Sequence, residues 1–168
     1  MKQIIPKYPR ILAIAPSTRG FGFALVEGLN TLVDWGVKSV GGNKNVGSVA
    51  KAKAMLNHYA PDVLVLEDTL VKPFRRARRI RELTKRLLSV SKNQNVRVML
   101  LRREQVRMVF FPDGQGTKYA LAQILAERFP DELGLRLPPK RRPWMSEDSR
   151  MDIFGAVALA LAVRKVKP

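Results

Sequence analysis

The chain has 168 residues, with 31 Lys plus Arg against 14 Asp plus Glu, one His, no Cys and a formal charge of +17. At 46% hydrophobic residues it has the apolar material for a core, which excludes disorder driven by charge, and its length suits one compact domain over residues 1–168. The lack of Cys excludes disulfides, thiolate zinc centres and Cys nucleophiles, and the lone His58 cannot supply a zinc centre or a Ser-His-Asp triad, so any metal must sit on oxygen.

Residues 10–15 (RILAIA) form a short apolar run between Pro9 and Pro16, followed by the turn cluster Ser17-Thr18-Arg19-Gly20 and a second run at 21–27 (FGFALVE), which predicts a β-hairpin. Gly28 and Asn30 precede an alternating segment, 31–40, read as a third strand. A glycine-rich loop then leads to a helix over 46–59, with Val49, Leu56, Tyr59 and Ala60 on one face, ended by Pro61. Residues 62–66 (DVLVL) read as a buried central strand that ends at Glu67-Asp68.

A helix over 75–91 places Ile80, Leu83, Leu87 and Leu88 on one side and a basic comb, including Arg75, Arg76, Arg78, Arg79 and Arg81, around the rest. Residues 96–101 give a fifth strand, and helices are expected over 104–111 and 117–129. A Pro- and Arg-rich link over 137–143 then leads to a final helix that starts with Ser146 as N-cap and runs to about residue 163. Three meandering strands followed by alternating strands and helices predict an α/β fold, a mixed sheet with helices packed on it.

With a pI near 11.0, the surface field attracts polyanions, and nucleic acid is the expected partner, ahead of ribosomal association or an anionic membrane. The Arg comb suits phosphate contact, Lys140, Arg141 and Arg142 form a second basic strip, and Arg19 is a third candidate. Phe74, Tyr119 and Trp144 are candidates for stacking on bases, against the more common role of an aromatic in the core. No apolar run approaches the roughly 18 residues of a membrane span. The opening MKQIIPKYPR also lacks the apolar stretch of a signal peptide, so a soluble, cytoplasmic protein with no membrane partner is expected.

Three polar clusters converge if the first and fourth strands are neighbours: residues 15–17, Glu67-Asp68, and Glu147, Asp148 and Asp152 at the start of the last helix. Asp148 and Asp152, four apart, are expected on one helix face. Carboxylates gathered in this way repel one another unless a hard cation such as Mg²⁺ holds them, which points to phosphodiester chemistry. Each also has an ordinary structural reading: first-turn acids at a helix dipole, or ion pairs with Arg.

The stretch ILAIAPSTRGFGFALVE resembles the opening hairpin of the RuvC Holliday junction resolvases, in which a strand leads into Asp-Pro-Gly, a Ser or Thr, an Arg or Lys, and a Gly-aromatic second strand. VLVLED is similar to that family's strand ending in a metal-binding Glu, and MDIFGAVALALA to its closing helix. The resemblance implies an RNase H-like fold with a five-stranded mixed sheet and helices on both faces. It further implies a Mg²⁺- or Mn²⁺-dependent endonuclease acting, as a homodimer, on branched or double-stranded DNA. Glu67 and Asp152 match the family's ligands, with Asp148 as a possible third, so all three are candidates for metal binding and catalysis. Ala15 stands where the family places its first-strand Asp, and Gly155 where the closing helix has its second Asp. A methyl group cannot coordinate a metal ion, which predicts a poor nuclease or none, and leaves a non-catalytic nucleic-acid-binding module of the same fold as the alternative.

Overall fold

The computed structural model describes residues 7–70 and 78–166. Strands β1 (Ile11–Pro16), β2 (Gly20–Glu27) and β3 (Thr31–Ser39) form an antiparallel meander, and helix α1 (Lys44–Tyr59) crosses to β4 (Val63–Glu67). Helix α2 (Arg78–Asn93) leads to β5 (Arg97–Leu101), followed by α3 (Arg103–Phe110), α4 (Lys118–Arg128), the short α5 (Pro130–Leu133), a 3-10 turn (Gly134–Arg136) and α6 (Met151–Ala162). The five strands lie in the order β3-β2-β1-β4-β5, with β4 parallel to both β1 and β5. Helices cover both faces, as expected.

The alternation of side chains divides the core into two layers. Ile11, Ala13, Val63 and Val65 point to one face, where they meet α4, α6, Val106 of α3 and Leu133 of α5. Leu12, Ile14, Leu64 and Leu66 point to the other, against Ala52, Met55 and Leu56 of α1 and Leu83 and Leu87 of α2. Strand β4 is buried along its whole length, which accounts for its unbroken apolar run. Helix α6 is buried over ten of its twelve residues and packs across β1 and β2.

Two expectations change. The last helix begins at Met151, and Ser146 does not cap it; Arg150 occupies the N-cap position. The backbone N–H groups that would open an earlier helix are engaged locally, since Asp148 Oδ1 accepts from Arg150 N at 2.9 Å, a side-chain turn that competes with helix. In α1 the buried face is Asn45, Ser48, Ala52, Met55 and Leu56; of the face expected, Leu56 is buried, Val49 and Tyr59 pack partly buried against the core, and Ala60 is exposed. Asn45 Nδ2 donates to the Arg79 carbonyl at 3.0 Å, so α1 meets α2 through a polar contact that hydrophobic spacing does not reveal.

Candidate functional site

The site lies where the C-terminal ends of β1 and β4 meet the first turn of α6. The β1–β4 register pairs Ile14 with Leu66, and one step further it brings Ala15 alongside Glu67. Both follow the parity of Ala13 and Val65, so both belong to the face covered by α6. Three small residues set the approach of that helix. Ala15 pairs with Gly22 across the β1–β2 ladder. A Cβ on Gly22 would lie 2.2 Å from the Asp152 carbonyl oxygen, so α6 sits directly on the β2 backbone there. One turn along, a Cβ on Gly155 would lie 3.8 Å from the Ala15 methyl. The two positions at which the sequence departs from the resolvase pattern therefore face each other, and the space between them would admit a further methyl group.

The carboxylates around this contact are held by cations of the chain itself. Glu67, buried at the end of β4, accepts from Arg103 Nε at 3.1 Å. Asp148 accepts from Arg150 Nε at 3.0 Å and Nη2 at 2.8 Å; the guanidinium and the Arg150 backbone N–H pull its pKa down to about 2. Glu147 pairs with Lys118 of α4. Asp152 is half-buried, and desolvation raises its pKa against the opposing pull of Ser17, Lys118 and Arg19. The buried Ser17 hydroxyl lies against this carboxyl and reaches no partner in full hydrogen-bond geometry.

Asp148 does not share a helix face with Asp152: it lies in the approach loop, before the helix begins. Among the described residues no group of three or more Asp, Glu or His side chains is close enough to hold a metal ion. Glu67, Asp148 and Asp152 are thus not gathered into one three-carboxylate cluster among the described residues. The physical reason is visible at each residue: Arg103 and Arg150 neutralise two of the carboxylates, and positions 15 and 155 supply no oxygen.

The basic candidates divide. Arg79 is engaged within the fold, with Nη2 donating to the Ser17 carbonyl at 2.7 Å and Nη1 to Asn45 Oδ1 at 3.2 Å, so its guanidinium ties α2 to the turn after β1. Arg78 is exposed and Arg81 half-buried on the same helix. Arg75, Arg76 and Phe74 lie outside the described residues. Arg19, Lys140, Arg141 and Arg142 are exposed, and Arg19 and Arg141 line an open groove of about 310 Å³ with Ser146, Glu147, Asp148 and Ser149. The structure thus brings the β1 turn, the basic strip and the acids before α6 to one place. Tyr119 is partly buried and donates from its hydroxyl to the Pro138 carbonyl at 2.9 Å, which makes it an anchor for the strip rather than a stacking platform.

The sequence reading missed Arg103, Lys118 and Arg150 as partners of the acids. The Asp-Ser-Arg spacing at 148–150 is a local signal for the last pair. Arg103 is recognisable only once the β4–β5 register, Glu67 opposite Leu101, is known.

This architecture is the RNase H-like fold in its RuvC form: an antiparallel three-stranded meander continued by parallel strands, closed by a helix across the first two strands. Among solved structures, that of Thermus thermophilus RuvC superposes with a TM-score of 0.64 at 19% identity, covering 91% of this chain and 92% of that one. The T. thermophilus RuvC in complex with a Holliday junction substrate gives 0.66 at 17% identity, with 92% of each chain covered. The yeast mitochondrial Holliday junction resolvase Ydc2 gives 0.62 at 11% identity, covering 96% of this chain and 81% of that one. No protein-family model and no curated protein sequence matches the chain.

Proposed function

We propose that this chain is a structure-selective DNA-binding protein of RuvC fold that holds branched DNA, with the four-way junction as its reference substrate, and does not hydrolyse it. The observation that carries the second half is that the Ala15 methyl faces Gly155, where a Cβ added to the glycine would meet it at 3.8 Å, so neither position supplies the oxygen that phosphodiester hydrolysis through paired metal ions needs. Support for the first half comes from the charge of +17, the exposed Arg19 and Lys140–Arg142 strip beside the site, and likeness to a protein solved with a Holliday junction. Contacts from Lys and Arg to phosphates position a duplex without reading its bases, so the selectivity is for shape rather than sequence. A four-way junction has two-fold symmetry, and the proposal extends to a homodimer that presents two equal basic faces.

The test is a competition titration in EDTA between a labelled four-way junction and a linear duplex of the same arms, repeated over a salt series. The proposal expects the junction to bind at least about tenfold more tightly, with both affinities falling steeply as salt rises. Equal affinity for junction and duplex would overturn it. Metal-dependent cleavage, the activity implied by the family resemblance, is decided separately by product formation in Mg²⁺ or Mn²⁺.

A further inference from the structure

We propose that Trp144 is a stacking platform for the base of an unpaired nucleotide, whose phosphate the adjoining groove holds, so that this residue sets the preference for branched or single-stranded DNA over continuous duplex. The inference rests on the nucleic-acid-binding reading above and adds to it the residue that discriminates.

Trp144 is 76% exposed, more than any other aromatic side chain among the described residues. Burying a Trp is worth more to a fold than burying almost any other side chain, and the molecule leaves this one in solvent. The ring is nonetheless held. Met145 N donates to the Arg142 carbonyl at 2.9 Å, closing a four-residue turn with Pro143 and Trp144 at its centre. Proline fixes φ at the second position of such a turn, so the Trp backbone is set before any ligand arrives. The Arg142 guanidinium lies 5.6 Å from the ring centroid, within reach of a cation–π interaction that steadies the indole. Tyr119 anchors the strip at Pro138, and the Lys118–Glu147 and Arg150–Asp148 pairs fix its far end.

Beside this ring the groove supplies the complementary charge. The side chains of Arg19 and Arg141 make no hydrogen bond or ion pair within 4 Å among the described residues, although Arg19 acts on Asp148 and Asp152 through its charge, and Glu147 and Asp148 each have a closer cation of their own. The groove is therefore cationic in net effect, and Ser146 and Ser149 add hydroxyl donors. An exposed ring one residue from a groove lined by the Arg19 and Arg141 guanidinium groups matches a base with its flanking phosphate. It does not match the interior of a duplex, where the faces of the bases are already stacked. Aromatic platforms for single strands contribute about 1–3 kcal/mol per base on truncation to Ala.

The probes are a four-way junction carrying 2-aminopurine at its branch point, a single strand and a continuous duplex, tested with the full chain, W144A and W144F. Because the side chain is exposed, the variants are expected to melt with the unaltered chain, and circular dichroism checks this. W144A is expected to weaken junction and single-strand binding by about 5- to 150-fold while changing duplex affinity less than twofold, and W144F to keep most of the affinity. Indole emission is expected to quench on adding the junction, and the difference between the chain and W144F separates Trp144 from Trp35. Equal losses on junction and duplex, no loss at all, or a loss of self-association in place of DNA binding would each overturn the inference. If the unaltered chain fails to prefer junction over duplex yet quenches on single strands through Trp144, the branched-DNA function fails and this inference stands.

Discussion

Two single-methyl substitutions on either side of the α6 contact are expected to move stability in opposite directions. In G22A the new Cβ would lie 2.2 Å from the Asp152 carbonyl oxygen and 2.4 Å from its carbonyl carbon, while ordinary contact begins near 3.4 Å. The first turn of α6 must then retreat by about 1 Å, and packed interiors resist overpacking of this kind with about 1–3 kcal/mol. Reduced freedom of the unfolded chain returns about 0.4–1 kcal/mol, so a net loss of about 1–2 kcal/mol remains. For a chain of this length that is a fall in Tm of about 2–8 °C. In G155A the Cβ would meet the Ala15 methyl at 3.8 Å, an ordinary contact, and replacing a mid-helix Gly with Ala contributes up to about 1 kcal/mol. Urea and thermal unfolding followed by circular dichroism read both. A G22A protein as stable as the parent, or a G155A protein less stable, would refute the close approach of α6 at position 22 and the open space at position 155.

Two acids give opposite pH signatures. Burial raises the Asp152 pKa, so its contribution to stability is fully present below the unfolded pKa of about 3.9 and is lost as pH rises through the folded value. D152N is therefore expected to raise Tm at pH 7, with the gain shrinking below pH 4; a constant difference across a pH series of melts would contradict this. The pairing of Asp148 with Arg150 lowers its pKa to about 2, so it stabilises above the unfolded value and loses that effect as pH falls towards 2. Both partners are more than a third exposed, which limits D148N to a cost of about 0.5–1 kcal/mol at pH 6, vanishing near pH 2 and measurable as a difference in urea midpoints. An equal cost at both pH values would rule out the ion pair as its source.

Much of this architecture can be read from runs of residues that need no tertiary information. The four-residue apolar run of β4, ahead of Glu67, reads as a strand buried on both faces, and Ile80, Leu83 and Leu87 mark the inner side of α2 before any partner is known. The hairpin of β1 and β2 follows from turn chemistry, whereas its parallel join to β4, on which the convergence of the acids depends, is fixed only in the folded chain. Reading fails where one side chain satisfies another across the fold. Ser146 followed by two acids has the look of a helix start, yet Asp148 turns back onto Arg150 and delays the helix to Met151. Arg79, spaced like a surface comb residue, reaches the Ser17 carbonyl instead. Ala15 and Gly155, 140 positions apart along the chain, can be noted separately as departures from a motif, but that they face each other depends on how closely α6 descends on Gly22, which only the folded chain determines.

The central claim is that this RuvC-fold chain holds a junction without cutting it, and the most direct measurement is a cleavage time course on an end-labelled four-way junction at protein concentrations that saturate binding, in Mg²⁺ and in Mn²⁺. The account predicts intact strands throughout while the complex persists. Paired nicks near the branch point that disappear in EDTA and in E67Q would contradict it, because they would require Glu67 to serve a metal ion despite its ion pair with Arg103 and the apposed Ala15 and Gly155.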